Sequence, residues 1–222
     1  MARHRRGRQH HSTSEHEDVR RLYDRVAPDY DRRWQRYTRD TLRETLARIG
    51  PEAPRAVLDI ACGTGTLLAE IGKRTEMDAR VAGVDLSRGM LAEARRKLNA
   101  RAIVAAADAA RLPFRDAAFD VAVSVSALHH WGDPRAVLRE ARRVLQPGGR
   151  LVLTDWCGDR WLERVRAALH RRHDHAGLRV YRSSELAALL TDAGFRDVDV
   201  ERWRSGWRWS LMTATATSAA IP

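Results

Sequence analysis

The sequence predicts an α/β domain built from parallel βαβ units, and three observations carry that prediction. From position 55 onward, short runs rich in apolar and β-branched residues alternate with stretches of helical apolar spacing. Carboxylates close three successive runs, at Asp59, Asp85 and Asp108. The first run passes directly into a small-residue loop, Ala61-Cys62-Gly63-Thr64-Gly65, that opens a helix.

Taken in order, residues 1–16 (MARHRRGRQHHSTSEH) lack apolar periodicity and read as a flexible basic arm. From Glu17, the spacing of Val19, Leu22, Tyr23, Val26 and Tyr30, then of Leu42, Leu46 and Ile49, predicts two helical pieces separated at Pro28. Together they form a helical lid over 17–50. A Gly-Pro-Glu-Ala-Pro turn then leads into the main body. Strands are predicted at 56–60, 80–84, 102–105, 119–125 and 150–155, with helices near 66–74, 87–99 and 134–145 between them. Pro147-Gly148-Gly149 reads as a stop and turn after the last of these helices. A serine-capped helix at 183–193 closes at Gly194, and β-rich runs at 197–202 and 208–217 form a closing pair of strands, a candidate hairpin. The segment 158–182 interrupts the alternation. Its apolar stripe of Trp161, Leu162, Val165, Ala168 and Leu169 fits either a cap over the strand ends or ordinary packing on the sheet. The single domain thus covers 17–222.

Composition narrows the function classes. The 222 residues are 44% hydrophobic, enough for a substantial core, and no apolar run approaches the roughly 20 residues of a spanning helix. The basic start is not followed by a signal-peptide apolar core, so the expected location is cytoplasmic. Cys62 and Cys157 are too few for a disulfide framework, consistent with a reducing compartment. Forty basic against 29 acidic residues give +11; two of the forty, Lys73 and Lys97, are lysines, leaving 38 arginines. The excess is spread along the chain and is densest at Arg3, Arg5, Arg6 and Arg8, an arm suited to solvation or to contact with a polyanion.

The chemistry concentrates after the first strand. The loop lacks the third glycine of a dinucleotide fingerprint and the Lys-Ser/Thr of a phosphate-binding P-loop, which disfavours a pyrophosphate cofactor. Asp85, 20 residues beyond Gly65, suits both hydroxyls of an adenosine ribose, and Asp108 suits an exocyclic adenine amine. Plainer roles exist for both: Asp85 as a helix-start acceptor near Ser87, Asp108 as a turn former.

The runs VLDIACGTG, GVDLSRGMLAEARRK and AADAARLPFRDAAFDVAVSVSALHHWGDPRAVLREARRVLQPGGRLVLTD resemble class I S-adenosylmethionine-dependent methyltransferases. More narrowly they resemble the methyltransferase type 11 group that includes ubiquinone and menaquinone biosynthesis methyltransferases and bacterial phospholipid N-methyltransferases. The resemblance implies a Rossmann-like, doubly wound, mostly parallel seven-stranded sheet with a reversed final strand. It implies S-adenosyl-L-methionine as cofactor, leaving S-adenosyl-L-homocysteine. It assigns Asp59, Ala61, Gly63, Thr64 and Gly65 to the methionine part, Asp85 to the ribose, Leu86 and Met90 to the adenine face, and Asp108 with Ala109 to the adenine edge. Ser124 would face the sulfonium region through its backbone. Tyr23 and Tyr30 stand in a run resembling the family's opening helix, whose tyrosines close over the cofactor. Ala61 departs from the family's more frequent glycine.

A methylsulfonium carbon is already electrophilic, so the protein chiefly holds an acceptor in line and excludes water. Should a proton leave, His129, His130 and Tyr23 are the candidates by motif position; each also suits a packing role. His170, His173 and His175 with Asp174 have no second half-site, so no metal is expected. Trp203, Trp207 and Trp209, interleaved with arginines, suit either substrate stacking or the core face of the closing strands. The expected activity is methyl transfer to a small-molecule or lipid-like acceptor, a quinone or other aromatic or a phospholipid amine, with peripheral contact to anionic membrane as an option. RNA or DNA methylation is disfavoured because the Asn/Asp-Pro-Pro-aromatic run of exocyclic-amine enzymes is absent after the fourth strand. A cofactor-binding regulatory protein without turnover is the third reading.

Overall fold

The computed structural model describes residues 16–50, 54–74, 79–98, 102–160, 179–207 and 209–219. The basic arm, the bulk of the 158–182 segment and its three histidines lie outside the described residues.

Seven strands form one sheet in the order β3-β2-β1-β4-β5-β7-β6. They are β1 (Ala56–Ile60), β2 (Arg80–Asp85), β3 (Ala102–Ala106), β4 (Phe119–Val125), β5 (Leu145–Trp156), β6 (Phe195–Ser205) and β7 (Trp209–Ser218). The first five pair in parallel, while β7 runs antiparallel to both β5 and β6. This is the doubly wound sheet with a reversed final strand that the sequence predicts, and its last two strands are a hairpin turning at Gly206.

All five residues of β1 are buried, as a strand covered on both faces must be. Alternate side chains face opposite layers. Leu58 and Ile60 join Leu138, Leu186 and Leu190 beneath α6 (Pro134–Val144) and α7 (Ser183–Asp192). Val57 joins Leu46, Leu68 and Leu91 beneath α3 (Gln35–Ile49), α4 (Thr66–Arg74) and α5 (Arg88–Lys97). Before α3 the chain forms α1 (residues 16–26), a 3₁₀ turn at Ala27–Asp29 holding Pro28, and α2 (Tyr30–Arg33). The predicted break at Pro28 is present, and a second one occurs at Trp34.

Three local expectations need correction. Pro147-Gly148-Gly149 does not stop the chain: α6 ends at Val144, and β5 begins at Leu145 with a bulge that absorbs the glycines, Phe119 pairing with Leu145 and Val121 with Arg150. A Cβ on Gly149 would come within 3.0 Å of the Asp120 carbonyl oxygen, so close passage of β4 requires the glycine. Ser183 does not cap α7. Glu185 accepts the Arg182 N–H at 2.8 Å, while the Ser183 N–H and hydroxyl both donate to Asp159. Finally, Ser87 lies outside α5 as its N-cap, accepting from the Met90 N–H at 3.0 Å.

Candidate active site

At the carboxyl end of β1 the backbone enters the left-handed region three times within five residues, at Ala61 (φ 64°), Gly63 (φ 53°) and Gly65 (φ 73°). This winds the loop tightly, with the Cys62 N–H donating to the Val84 carbonyl and the Gly65 N–H to the Cys62 carbonyl, each at 2.9 Å. The left-handed backbone gives a physical reason for glycine at position 61; alanine there holds an unfavourable φ at roughly 1–2 kcal/mol. Gly65 is constrained by packing as well, since a Cβ would stand 3.0 Å from the Ala94 Cβ of α5.

Asp85, at the end of β2, accepts the Gly63 N–H on Oδ2 and the Ser87 N–H on Oδ1, both at 2.8 Å. It therefore fastens the loop to the start of α5. Each oxygen keeps a further lone pair for a ligand. Burial raises the Asp85 carboxyl above its ordinary range, partly opposed by those two N–H donors. Asp108, beyond β3, is held against the wall by the Ala110 N–H, which donates to Oδ1 at 2.9 Å. The plainer roles foreseen for both acids are thus present, and they fix the carboxylates in place.

These elements surround a cavity of about 290 Å³ whose wall includes Ala61, Gly63, Asp85, Leu86, Met90, Asp108 and Ala109, together with Tyr23, Tyr30 and His130. Four of the expected cofactor residues lie off that wall. Asp59 is buried behind the loop, where burial and then the Asp85 charge push its carboxyl up to about 8. Thr64 turns its hydroxyl to Asp31, Gly65 packs on α5, and the Ser124 hydroxyl donates to the Ile60 carbonyl at 2.7 Å. The β4 side of the cavity is instead formed by Val125, Ser126 and Ala127.

The N-terminal segment covers this cavity through charged anchors. Tyr23 and Tyr30 stand 6.1 Å apart by ring centroid, and the Tyr23 hydroxyl meets His130 Nε2 at 2.9 Å. Burial lifts both phenols, Tyr30 to about 12 and Tyr23 well above its ordinary value. Asp24 accepts the Ser87 hydroxyl at 2.7 Å and the Gly89 N–H at 2.8 Å. Burial works against its ionised form, but these donors hold the carboxyl below its usual range. Asp31 accepts from the Thr64 hydroxyl and from Lys97 Nζ, both at 2.6 Å. Sequence reasoning gave roles to the tyrosines of this run but missed both aspartates, although Asp24 and Asp31 directly follow Tyr23 and Tyr30.

A second cluster adjoins the first. His129 is 4% exposed, with Nδ1 2.7 Å from Asp155 Oδ1 and its ring stacked on Trp156 at 4.4 Å. Trp156 stacks in turn on Trp209, which also meets Tyr37 and Trp34. Trp156 Nε1 donates to the Tyr37 hydroxyl at 2.9 Å, and that hydroxyl lies 2.6 Å from Ser126 Oγ. Of the hairpin tryptophans, Trp209 joins this cluster, Trp203 donates to the Thr213 hydroxyl, and Trp207 is 75% exposed. The ends of the 158–182 segment return to the same place: Cys157 bridges Tyr181, and the Arg179 N–H donates to the His129 carbonyl at 3.1 Å. Among the described residues no group of side chains is suited to hold a metal ion, and no helix is long and apolar enough to cross a membrane.

Residues 58–153 match the methyltransferase domain family. Over these residues the chain carries a methyltransferase domain, on a fold shared with S-adenosylmethionine-dependent methyltransferases. Over 143 residues the chain is 38% identical to a demethylmenaquinone methyltransferase of Corynebacterium kroppenstedtii, covering 63% of the chain and 60% of that relative. Over 161 residues it is 35% identical to an O-methyltransferase of Aspergillus sclerotiorum, covering 69% of the chain and 60% of the relative. The chain therefore spans about 60% of the length of these curated relatives. In structure it is similar to a SAM-dependent methyltransferase of Thermotoga maritima, with a TM-score of 0.73 at 22% identity over 90% of this chain and 99% of the other, a likeness of fold. The cofactor of the family is S-adenosyl-L-methionine, and the cavity suits it: spare lone pairs on Asp85, open space beside Gly63, and an apolar wall at Leu86 and Met90.

Proposed function

We propose that the protein transfers a methyl group from S-adenosyl-L-methionine to a small-molecule acceptor, quinone-like or otherwise aromatic, or a phospholipid amine. The observation that carries the reading is the cavity itself: Asp85, Asp108, Leu86 and Met90 meet Tyr23 and His130 across one cavity at the carboxyl ends of the strands. The demethylmenaquinone and O-methyltransferase relatives point to the same class of acceptor.

In this reading Asp85 holds the ribose hydroxyls, Asp108 and Ala109 the adenine edge, Leu86 and Met90 its face, and the loop of Ala61 and Gly63 the methionine part. Asp59 acts from behind, by shaping the loop. When bound there, the cofactor would supply an electrophilic methyl carbon to the acceptor's lone pair, with the bonding pair left on sulfur. Tyr23 and Tyr30, anchored through Asp24 and Asp31, exclude water from the cavity. His130 is the residue suited to receive an acceptor proton, because it lines the cavity while the buried Tyr23 phenol keeps its own proton at neutral pH. His129, tied to Asp155 and covered by Trp156, supports the wall beside His130 at 4.1 Å between ring centroids.

The charge of +11 is the feature that favours the second reading, a nucleic-acid substrate. Tritiated methyl transfer to a panel of naphthohydroquinones, catechols, phosphoethanolamine and mixed oligonucleotides separates the two. Label in a small molecule, with none in oligonucleotide at low salt, is the expected result. Label in oligonucleotide alone would replace the small-molecule reading. Tight cofactor binding with no labelled product would favour a regulatory protein.

A further inference from the structure

Ser126 combines two unusual features on the cavity wall. Its backbone has φ 58°, a region unfavourable for an L residue, and it is held there as its N–H donates to the Thr154 carbonyl at 2.8 Å. Such strain, retained beside a ligand cavity, calls for a function. Its hydroxyl also ends a directed chain of hydrogen bonds. An indole N–H can only donate, so Trp156 Nε1 gives its proton to the Tyr37 oxygen at 2.9 Å. Tyr37 is buried, which keeps its phenol protonated. Among the described residues the remaining partner of that hydroxyl is Ser126 Oγ at 2.6 Å, so Tyr37 donates to Ser126. The Ser126 proton is thereby left for a partner on the cavity side, where Ser126 lines the wall with Val125, Ala127, Tyr23 and Tyr30.

We infer that Ser126 binds the methyl acceptor by donating a hydrogen bond to an acceptor oxygen, and that the acceptor class is a phenol or enol rather than an amine. This rests on the methyltransferase reading above and narrows it. An ionised oxygen that accepts from Ser126 keeps further lone pairs for attack, and the donor stabilises its charge. A neutral amine has one lone pair, which the same contact would occupy. The Tyr37 and Trp156 side chains act through Ser126 as positioning residues.

The test uses the full chain saturated with S-adenosylhomocysteine and titrates 4-nitrophenol by its phenolate absorbance. The parent complex is expected to raise the phenolate-to-phenol ratio of bound 4-nitrophenol roughly tenfold at its free pKa. Ser126→Ala and Ser126→Gly should abolish that shift while S-adenosylhomocysteine affinity stays within about twofold, and Tyr37→Phe should reduce it in part. The glycine variant suits φ 58° and so guards against a folding defect. A shift retained in Ser126→Gly, or no shift in a parent that binds S-adenosylhomocysteine, overturns the assignment of Ser126 alone. Methylation of phosphoethanolamine but of no phenol by the active enzyme also overturns it and leaves the methyltransferase reading standing. Failure of the parent to bind S-adenosylhomocysteine overturns that reading itself.

Discussion

The two sides of the cavity are built on different principles. On the β1–β2–β3 side, cavity-facing groups are strand-end carboxylates and loop backbone, the carboxylates held by backbone N–H groups: Asp85 by Gly63 of the neighbouring loop and by Ser87, Asp108 by Ala110 two residues on. On the β4–β5–β7 side, the wall is backed by aromatic side chains drawn together from distant parts of the chain, with Tyr37 of α3, Trp156 of β5 and Trp209 of β7 converging on Ser126. The first side is rigid backbone chemistry suited to one constant ligand. The second depends on side chains that can change without disturbing the sheet.

Substitutions on each side test that contrast. The largest effect is expected at Asp85→Ala, which frees the Gly63 and Ser87 N–H groups and, on the proposed reading, removes charged hydrogen bonds to the ribose. A loss of about 2–3 kcal/mol, on the order of 30- to 150-fold in S-adenosylhomocysteine affinity, should appear in calorimetric titration. Unchanged affinity in a folded variant would remove Asp85 from the site. Next is Gly89→Ala, whose Cβ would stand 2.9 Å from the Asp24 Cα and carbonyl oxygen. Backbone cannot yield as a side chain does, so a cost of about 1–3 kcal/mol in seating α1 is expected, read as faster amide exchange across residues 16–34. Equal protection in parent and variant would show that α1 does not rest on α5.

Asp59 gives a pH-dependent signature. Its folded carboxyl sits at about 8, against an unfolded value near 3.9, so the folded state holds the extra proton across that window. Its contribution is fully favourable below the lower value and is lost as pH rises through the upper one. Melting curves at pH 5 and pH 9 should show Asp59→Asn gaining on the parent as pH rises; parallel behaviour would place Asp59 in a less buried setting. The smallest effect is expected at Ala61→Gly. Relief of φ 64° offsets the added chain entropy to leave roughly 0.5 kcal/mol of stabilisation, about 1–2 °C in Tm. A lower Tm would mean that the alanine methyl makes a packing contribution larger than its strain.

The same contrast explains what the sequence could reveal. The β1 strand was legible to the residue at Ala56–Ile60, and α4 at Thr66–Arg74, because a buried apolar run, a small-residue loop and a helical stripe are local patterns. Asp85 and Asp108 were legible for the same reason, standing at strand ends. Tyr37, Trp156 and Ser126 carried no such mark: their contacts join residues 89 and 119 positions apart, and no spacing within one element announces them. The resemblance pointed to Ser124 through its backbone, and no local pattern marks the left-handed turn at Ser126 that follows β4. The Gly148-Gly149 pair misled in the opposite direction, since a glycine-rich bulge and a glycine-rich turn look alike until the neighbouring strand is in place.

Calorimetric titration of the full chain with S-adenosylhomocysteine and S-adenosylmethionine, with NAD as control, tests the central claim most directly. Micromolar binding of the first two, with no heat from NAD, is the predicted result. Absence of binding by both, or binding of NAD in their place, would contradict the assignment of the Asp85 and Asp108 cavity to this cofactor.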